Sequence, residues 1–368
     1  MMPSTRLSFV TGLALFLSQL ASGEPLPPPS GQYNVGARRE VIPFINPDNV
    51  SPNNVSTEYL ATFYYPTLDS APCAPKPYLE PELAEMYYDL YTWNISHLTS
   101  TVRWNASYLD EAVGPTVIFG PGGWGPPTDA YTIIFSELAS LGYVVAALDH
   151  PYEQPFVRYP NGTGVYGLAI DFSGTLPFVE ELAEVRSREM LHFIDTLPSL
   201  AASMGAPFET DNLGTFGHSL GGATALSAAL SSPAVAAAIN QDGTMYTVFH
   251  TPASDIRKPT MLLGMEIHIP ENDLSWREFM EFQTGWWLYV TVTGVMHLDW
   301  SDLTWWKKYG GRALGTIDSQ RMVDLTNTYI TAFFDRHLKG VPSDVLEGQT
   351  GAWPEVNYIG VHEAEEQP

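Results

Sequence analysis

The sequence predicts an α/β fold, a mostly parallel sheet with helices on both faces. Three observations carry that prediction. From about residue 116 onward, short apolar runs of strand length alternate with stretches that have helical periodicity. The helical stretches are long enough to cross back over a sheet between parallel neighbours. A Gly-x-Ser-x-Gly turn then joins a strand-like run to a helix-like one, in a loop of the kind where open α/β sheets place their ligands.

The elements follow in order along the chain. Residues 1–23, "MMPSTRLSFVTGLALFLSQLASG", carry one cation, Arg6, no acid, an apolar core and small residues at the end, the layout of a secretory signal peptide. Residues 24–57 are rich in Pro, Asn and Ser and are expected to be an irregular extension. "YLATFYYPT" reads as a strand, and residues 68–112 are mixed, with helical character around Met86 to Tyr91. "PTVIFG" is a strand, "DAYTIIFSELASLG" a helix stopped by Gly142, and "YVVAALDH" a strand. "VEELAEVRSREMLHFIDTL" repeats its apolar residues at three and four and is a helix. The runs "LGTF", "AVAAAINQDG", "PTMLLGMEI" and "WLYVTVTGVMH" read as further strands, and a last helix spans about Ser319 to Leu338. One catalytic domain over residues 58–340 is expected, with 341–368 as a C-terminal tail.

Composition narrows the function. The 368 residues carry a net charge of −24, and loss of residues 1–23 leaves 16 basic against 41 acidic side chains, or −25. Nucleic acid and anionic surfaces are disfavoured as partners, because phosphate contacts rely on Lys and Arg. The chain has a single cysteine, Cys73, so no internal disulfide forms and the core itself must supply stability. Five Asn-x-Ser/Thr sequons, at Asn49, Asn54, Asn94, Asn105 and Asn161, suit a secreted, glycosylated protein. No metal-binding constellation and no phosphate-cradling Gly-Lys-Ser/Thr occurs, so no cofactor or metal is expected.

The stretch "LGTFGHSLGGATALSAAL" holds Ser219 between Gly217 and Gly221. A strand that turns abruptly into a helix strains the backbone, and small residues at both glycine positions relieve the crowding and expose the hydroxyl. Serine becomes a nucleophile only when an imidazole takes its proton and a carboxylate fixes that imidazole. Of His250, His268, His297 and His337 beyond the serine, with His362 in the tail, His297 follows the last sheet strand and is the expected base. For the acid, Asp242 closes the strand after the nucleophile helix, while Glu266 and Asp273 follow the next strand; the short Gln241–Gly243 turn favours Asp242. Two backbone amides are needed for an oxyanion. Leu220 supplies one, and the "PGGWGPP" loop after "TVIFG" the other, through its glycines at 122 and 123.

"VIFGPGGWGPPTDAYTIIFSELASLGYVVAALDH", "TFGHSLGGATAL", "AINQDGTMY" and "GVMHLDWSDLTWW" together resemble the platelet-activating-factor acetylhydrolase family over roughly residues 58–340. The resemblance implies an α/β-hydrolase fold with nucleophile Ser219, acid Asp242, base His297, and oxyanion donors Gly123 and Leu220. It departs from the family where a usual His-Gly-x-Gly is replaced by Pro121-Gly122-Gly123-Trp124, which places Trp124 beside the acyl side of the pocket. Trp276, Trp286, Trp287, Trp300, Trp305 and Trp306 flank His297 and are expected to form an apolar substrate pocket, with Trp300 lining it. The function expected is a secreted serine esterase acting on short acyl esters of phospholipids or related alcohols, with a small-molecule or lipid ester, or a lipid interface, as partner. A cutinase-like polyester or aryl esterase, and a non-catalytic binding protein on the same scaffold, are the alternatives.

Overall fold

The computed structural model describes residues 23–70, 76–168, 176–246 and 251–364. The leader-like segment up to residue 22, Cys73 and His250 lie outside the described residues.

A ten-stranded sheet organises the molecule. In chain order its strands are β1 (Asn34–Pro47), β2 (Val55–Thr67), β3 (Arg103–Trp104), β4 (Thr116–Gly120), β5 (Val144–Asp149), β6 (Leu213–His218), β7 (Val235–Gln241), β8 (Thr260–Met265), β9 (Trp287–Val292) and β10 (Val356–His362). In space they run β10-β9-β8-β7-β6-β4-β5-β2-β1-β3. The six strands from β9 to β5 are mutually parallel, whereas β10 and the β1–β2 hairpin pair antiparallel at the flanks. The chain leaves β4 toward β5 and returns to β6 on the other side of β4. The carboxyl ends of β4 and β6 therefore flank the topological switch point, where such sheets open a crevice.

Two apolar layers enclose this sheet, and strand periodicity divides the residues between them. After α1 (Pro81–Tyr91) the layers take shape: Val117 and Phe119 of β4 join a core with Phe216, Leu263 and Val290, covered by α2 (Thr132–Ser140) and the C-terminal helix Ser319–Lys339. Ile118, Leu262 and Tyr289 face the opposite layer, with Phe193 and Leu197 of α3 (Leu176–Met204) and Leu226 of α4 (Leu220–Ser231). Strands buried on both faces read as continuous apolar runs, which is why they stand out in the sequence. The C-terminal helix has the end chemistry expected of its composition. Asp318 accepts from the Arg321 amide, Arg336, His337 and Lys339 crowd the last turn, and Gly340 closes it in the left-handed region. Among the described residues no helix is long and apolar enough to cross a membrane.

Three expectations are corrected. Residues 24–57 are not an irregular extension, since β1 pairs with β2 from Asn34↔Thr67 to Pro47↔Val55. Proline content misled the reading. Pro43 sits at a register shift and Pro47 at a strand end, near the sheet edge where a missing N–H is tolerated. Residues 341–364 are not a tail, because β10 covers β9 and carries Val356 into the core, where Trp353 just before it also packs. Finally, Asn49 is buried, and its Nδ2 donates to Ser56 Oγ at 2.9 Å and Glu189 Oε1 at 2.7 Å, which leaves no room for a glycan on the folded chain. The other four sequon asparagines are exposed.

Ending the chain at Glu355 removes β10. The expected cost is at least the roughly 2 kcal/mol of burying Val356, read as a lower melting temperature and aggregation through the uncovered β9 edge. A truncated protein with unchanged melting would show that β10 is dispensable.

Candidate active site

The site forms at the carboxyl ends of β4, β6, β7 and β9. Ser219 occupies the turn from β6 into α4 with φ 56° and ψ −125°, a conformation that a non-glycine residue holds only under constraint. Surrounding packing supplies it. A Cβ on Gly221 would lie 1.9 Å from the Gly120 oxygen, so β4, β6 and α4 meet backbone to backbone. The Ser219 amide donates to Gln241 O at 2.8 Å, and its carbonyl accepts from Gly222 N at 2.9 Å. The Gly243 backbone packs so close to that carbonyl that a Cβ there would be 2.0 Å away. The turn after β7 is thereby pinned against the serine.

That turn presents Asp242, 3 % exposed, whose Oδ2 accepts from His297 Nδ1 at 2.5 Å. The bond puts the proton of a neutral His297 on Nδ1 and the lone pair on Nε2. Asp242 Oδ1 accepts from the Met265 amide at 2.7 Å and from His268 Nδ1 at 2.8 Å. Burial alone would raise the Asp242 pKa, but the hydrogen bonds and charges of His268 and His297 outweigh it and hold the carboxyl at about 2. Glu266 is exposed on the far side of its loop and accepts from the Gly294 amide at 2.8 Å, and Asp273 caps α5 (Leu274–Phe282). Of the three carboxylates considered, Asp242 is the one brought to His297.

His297 lies just past β9, at the start of a short 3-10 turn. It is tied to the serine turn by His218, the residue before Ser219. His218 Nε2 donates to the His297 carbonyl at 2.8 Å, and the two rings lie 4.6 Å apart. A carbonyl only accepts, so His218 carries its proton on Nε2 and accepts at Nδ1 from the Tyr131 hydroxyl at 2.9 Å. The Tyr131 oxygen in turn accepts from the Gly122 amide. Burial and the neighbouring His297 push the His218 pKa down to about 3, so this linker stays neutral at working pH. One hydrogen-bonded chain thus joins the loop after β4, the Ser219 turn and the His297 loop.

Beside it runs the Gly122–Gly123–Trp124 loop. A Cβ on Gly122 would stand 3.4 Å from Ser219 Cβ, and one on Gly123 3.1 Å from Leu220 Cδ2. The amides flanking Gly123 are both engaged, Gly122's by Tyr131 and Trp124's by Glu153 Oε1 at 3.3 Å. Glu153 is itself held by buried Arg186, whose Nε donates to Oε2 at 2.7 Å. Trp124, at φ 47°, stacks on Phe178 at 5.5 Å and packs against a cluster containing Leu220 and Leu182. The tryptophan expectation beyond it is corrected. Trp276, Trp286, Trp287, Trp300, Trp305 and Trp306 are all buried, and Trp300, at 2 % exposure, belongs to the core under α2.

Sequence reasoning overlooked Tyr131, His218 and the Arg186–Glu153 pair. His218 lay in plain view inside the serine motif; its role depends on the distant His297 carbonyl. Tyr131→Phe should leave the Gly122 amide and His218 Nδ1 without their shared partner, at a cost of about 1–3 kcal/mol. Urea denaturation measures it, and a loss under about 0.5 kcal/mol would mean that water replaces the hydroxyl.

Comparison with known proteins bears on the chemistry. Residues 195–349 match the family model described as platelet-activating factor acetylhydrolase, isoform II. The chain is 26% identical over 274 residues to a probable 1-alkyl-2-acetylglycerophosphocholine esterase of Arthroderma benhamiae, covering 69% of this chain and 68% of that one. It is 24% identical over 275 residues to the platelet-activating factor acetylhydrolase of Bos taurus, across 66% of this chain but only 61% of the bovine protein. A solved structure, a ferulic acid esterase from Streptomyces cinnamoneus, is similar with a TM-score of 0.78 and 28% identity, over 92% of this chain and all of that one. The fold is that of the α/β-hydrolases, and the resemblance carried by the motifs holds: the chain is a carboxylic ester hydrolase similar in sequence to platelet-activating factor acetylhydrolases.

Proposed function

We propose that the chain is a secreted serine esterase that removes short acyl groups, acetyl above all, from phospholipids or related alcohols. Ser219 Oγ attacks the ester carbonyl while His297 Nε2 takes its proton. Asp242 holds His297 in the required tautomer and stabilises the imidazolium that forms. The Gly123 and Leu220 amides receive the oxyanion, the alcohol leaves with the proton from His297, and water activated by the same imidazole then releases the acid from the acyl-serine. The observation that carries this reading is the short Asp242–His297 bond, with His297 tied by its carbonyl to the residue before a strained serine. Secretion rests on the leader-like residues 1–23, and Asn54, Asn94, Asn105 and Asn161 are the sites proposed for glycans.

The substrate class rests on the names of the relatives and on Trp124. An indole fixed against Phe178 and Leu220 beside the oxyanion loop narrows the acyl side and favours a short group. A second reading, an ester with an aromatic acyl group, is favoured by the full-length structural likeness to the ferulic acid esterase.

Ser219→Ala should lower ester hydrolysis by several orders of magnitude with normal melting. Asp242→Asn should cripple turnover at neutral pH, whereas Glu266→Gln should be mild, and the reverse ranking in equally stable variants would move the acid to the later strand. Trp124→Gly, which also relaxes the positive φ, should extend hydrolysis to longer acyl chains, each methylene excluded by the wild type being worth about 1–3 kcal/mol. An unchanged chain-length profile would remove Trp124 from the acyl pocket.

A further inference from the structure

The carboxylate that faces His297 is held on its other side by a second histidine. His268 lies in the loop after β8 and is 6 % exposed. Its Nδ1 is 2.8 Å from Asp242 Oδ1, and its Nε2 is 2.9 Å from Asp273 Oδ2. A carboxylate offers only lone pairs. A neutral imidazole has one N–H and one lone pair, so it would satisfy one of these oxygens and repel the other. Only the imidazolium donates to both.

The surroundings are built for that cation. Trp276 stacks on the ring with centroids 3.8 Å apart and an interplanar angle of 28°. Tyr289 of β9 donates to the His268 carbonyl at 2.5 Å, which fixes the backbone. Asp273 is itself anchored, Oδ1 by the Ser275 amide and hydroxyl and Oδ2 by the Thr244 hydroxyl at 2.6 Å. From Asp273, through His268, to Asp242 and His297, the four side chains form one hydrogen-bonded line in which carboxylates and imidazoles alternate.

We propose that His268 is a positioning residue of the esterase site, a buried imidazolium clamped between Asp242 and Asp273 that sets the plane of the Asp242 carboxylate and so the orientation of His297. The inference rests on the reading of Ser219, Asp242 and His297 as the reacting set. With Oδ1 occupied by His268 and the Met265 amide, Asp242 has only Oδ2 to offer, and it points at His297. The clamp also balances the buried charges. Two carboxylates and one imidazolium carry −1, which becomes zero when His297 takes the proton from serine.

The titratable groups around His268 are Asp242 from the end of β7, His297 across that carboxylate, Asp273 from the α5 cap, and Tyr289 from β9, with Tyr246 further out toward Asp273. Burial alone would lower the His268 pKa, but Asp242 and Asp273 together raise it to about 9. As the pH rises through that value one N–H is lost, the clamp opens, and turnover should fall.

The test uses the full chain with a soluble acetyl ester. His268→Gln should melt at a lower temperature, since two buried carboxylates lose their shared cation, and the folded variant should lose roughly 10- to 100-fold in kcat, with little change in KM and no alkaline limb near pH 9. Asp273→Asn touches no reacting atom, yet it should move that limb toward neutral pH by removing one of the two charges that hold the proton. In wild-type protein at pH 7.5, imidazole nitrogen NMR should find both His268 nitrogens protonated, a readout that stands even if the glutamine variant misfolds. A neutral His268 at pH 7.5, or a His268→Gln enzyme with wild-type kcat and pH profile, would overturn the clamp. If Ser219→Ala is inactive in the same assay, that failure leaves the reacting set standing. If Ser219→Ala stays active, the reacting set fails and the clamp with it.

Discussion

The contact among Gly120, Gly217 and Gly221 sets everything else at the site. A Cβ on Gly217 would lie 2.3 Å from the Gly221 backbone, and one on Gly221 1.9 Å from Gly120 O. With no side chain in the way, α4 seats directly on the ends of β4 and β6 at the switch point of the sheet. The chain between strand and helix must then reverse within one residue, and Ser219 takes the strained angles that lift its side chain out of the sheet. The loop after β4 lies beside Ser219 Cβ for the same reason. Tertiary packing sustains the strain at this half-buried residue between β6 and α4.

Around that contact the protein substitutes hydrogen-bonded tethers for bulk. The Tyr131–His218 chain runs from the Gly122 amide to the His297 carbonyl, and the Arg186–Glu153 pair holds Trp124 from the other side. Each tether is buried, where an unmade polar bond is expensive, so each has one arrangement that satisfies it. In a chain of net charge −24, buried carboxylates are stabilised locally. Asp242 and Asp273 share His268, Glu153 has Arg186, and Glu189 has His150. The fold can carry these four buried acids because each has an imidazole or guanidinium partner.

Much of this was legible beforehand, and particular residues show why. The strands β4 to β9 are continuous apolar runs because both faces are buried, and their alternation with helices specifies the parallel sheet. Ser219, Asp242 and His297 stand at strand ends that can be counted along the chain. By contrast, β1 was hidden by Pro43 and Pro47, which suit a register shift and a strand end but read as loop. The tryptophans after residue 270 looked like a ligand pocket because composition does not say which way an indole faces. Their burial is a property of the packed layers.

The sequence by itself determined the layered α/β architecture, the strained serine turn and the order of Ser219, Asp242 and His297 along the strand ends, because these follow from periodicity and from glycines at short, fixed spacing. Only the tertiary structure decided which polar groups meet across the sheet ends. His268 reaches Asp242 from 26 residues away, and His218 reaches the His297 carbonyl from 79. Such distances along the chain carry no local signal. Strand register brings those atoms to hydrogen-bond range, and register emerges only when the whole sheet is assembled.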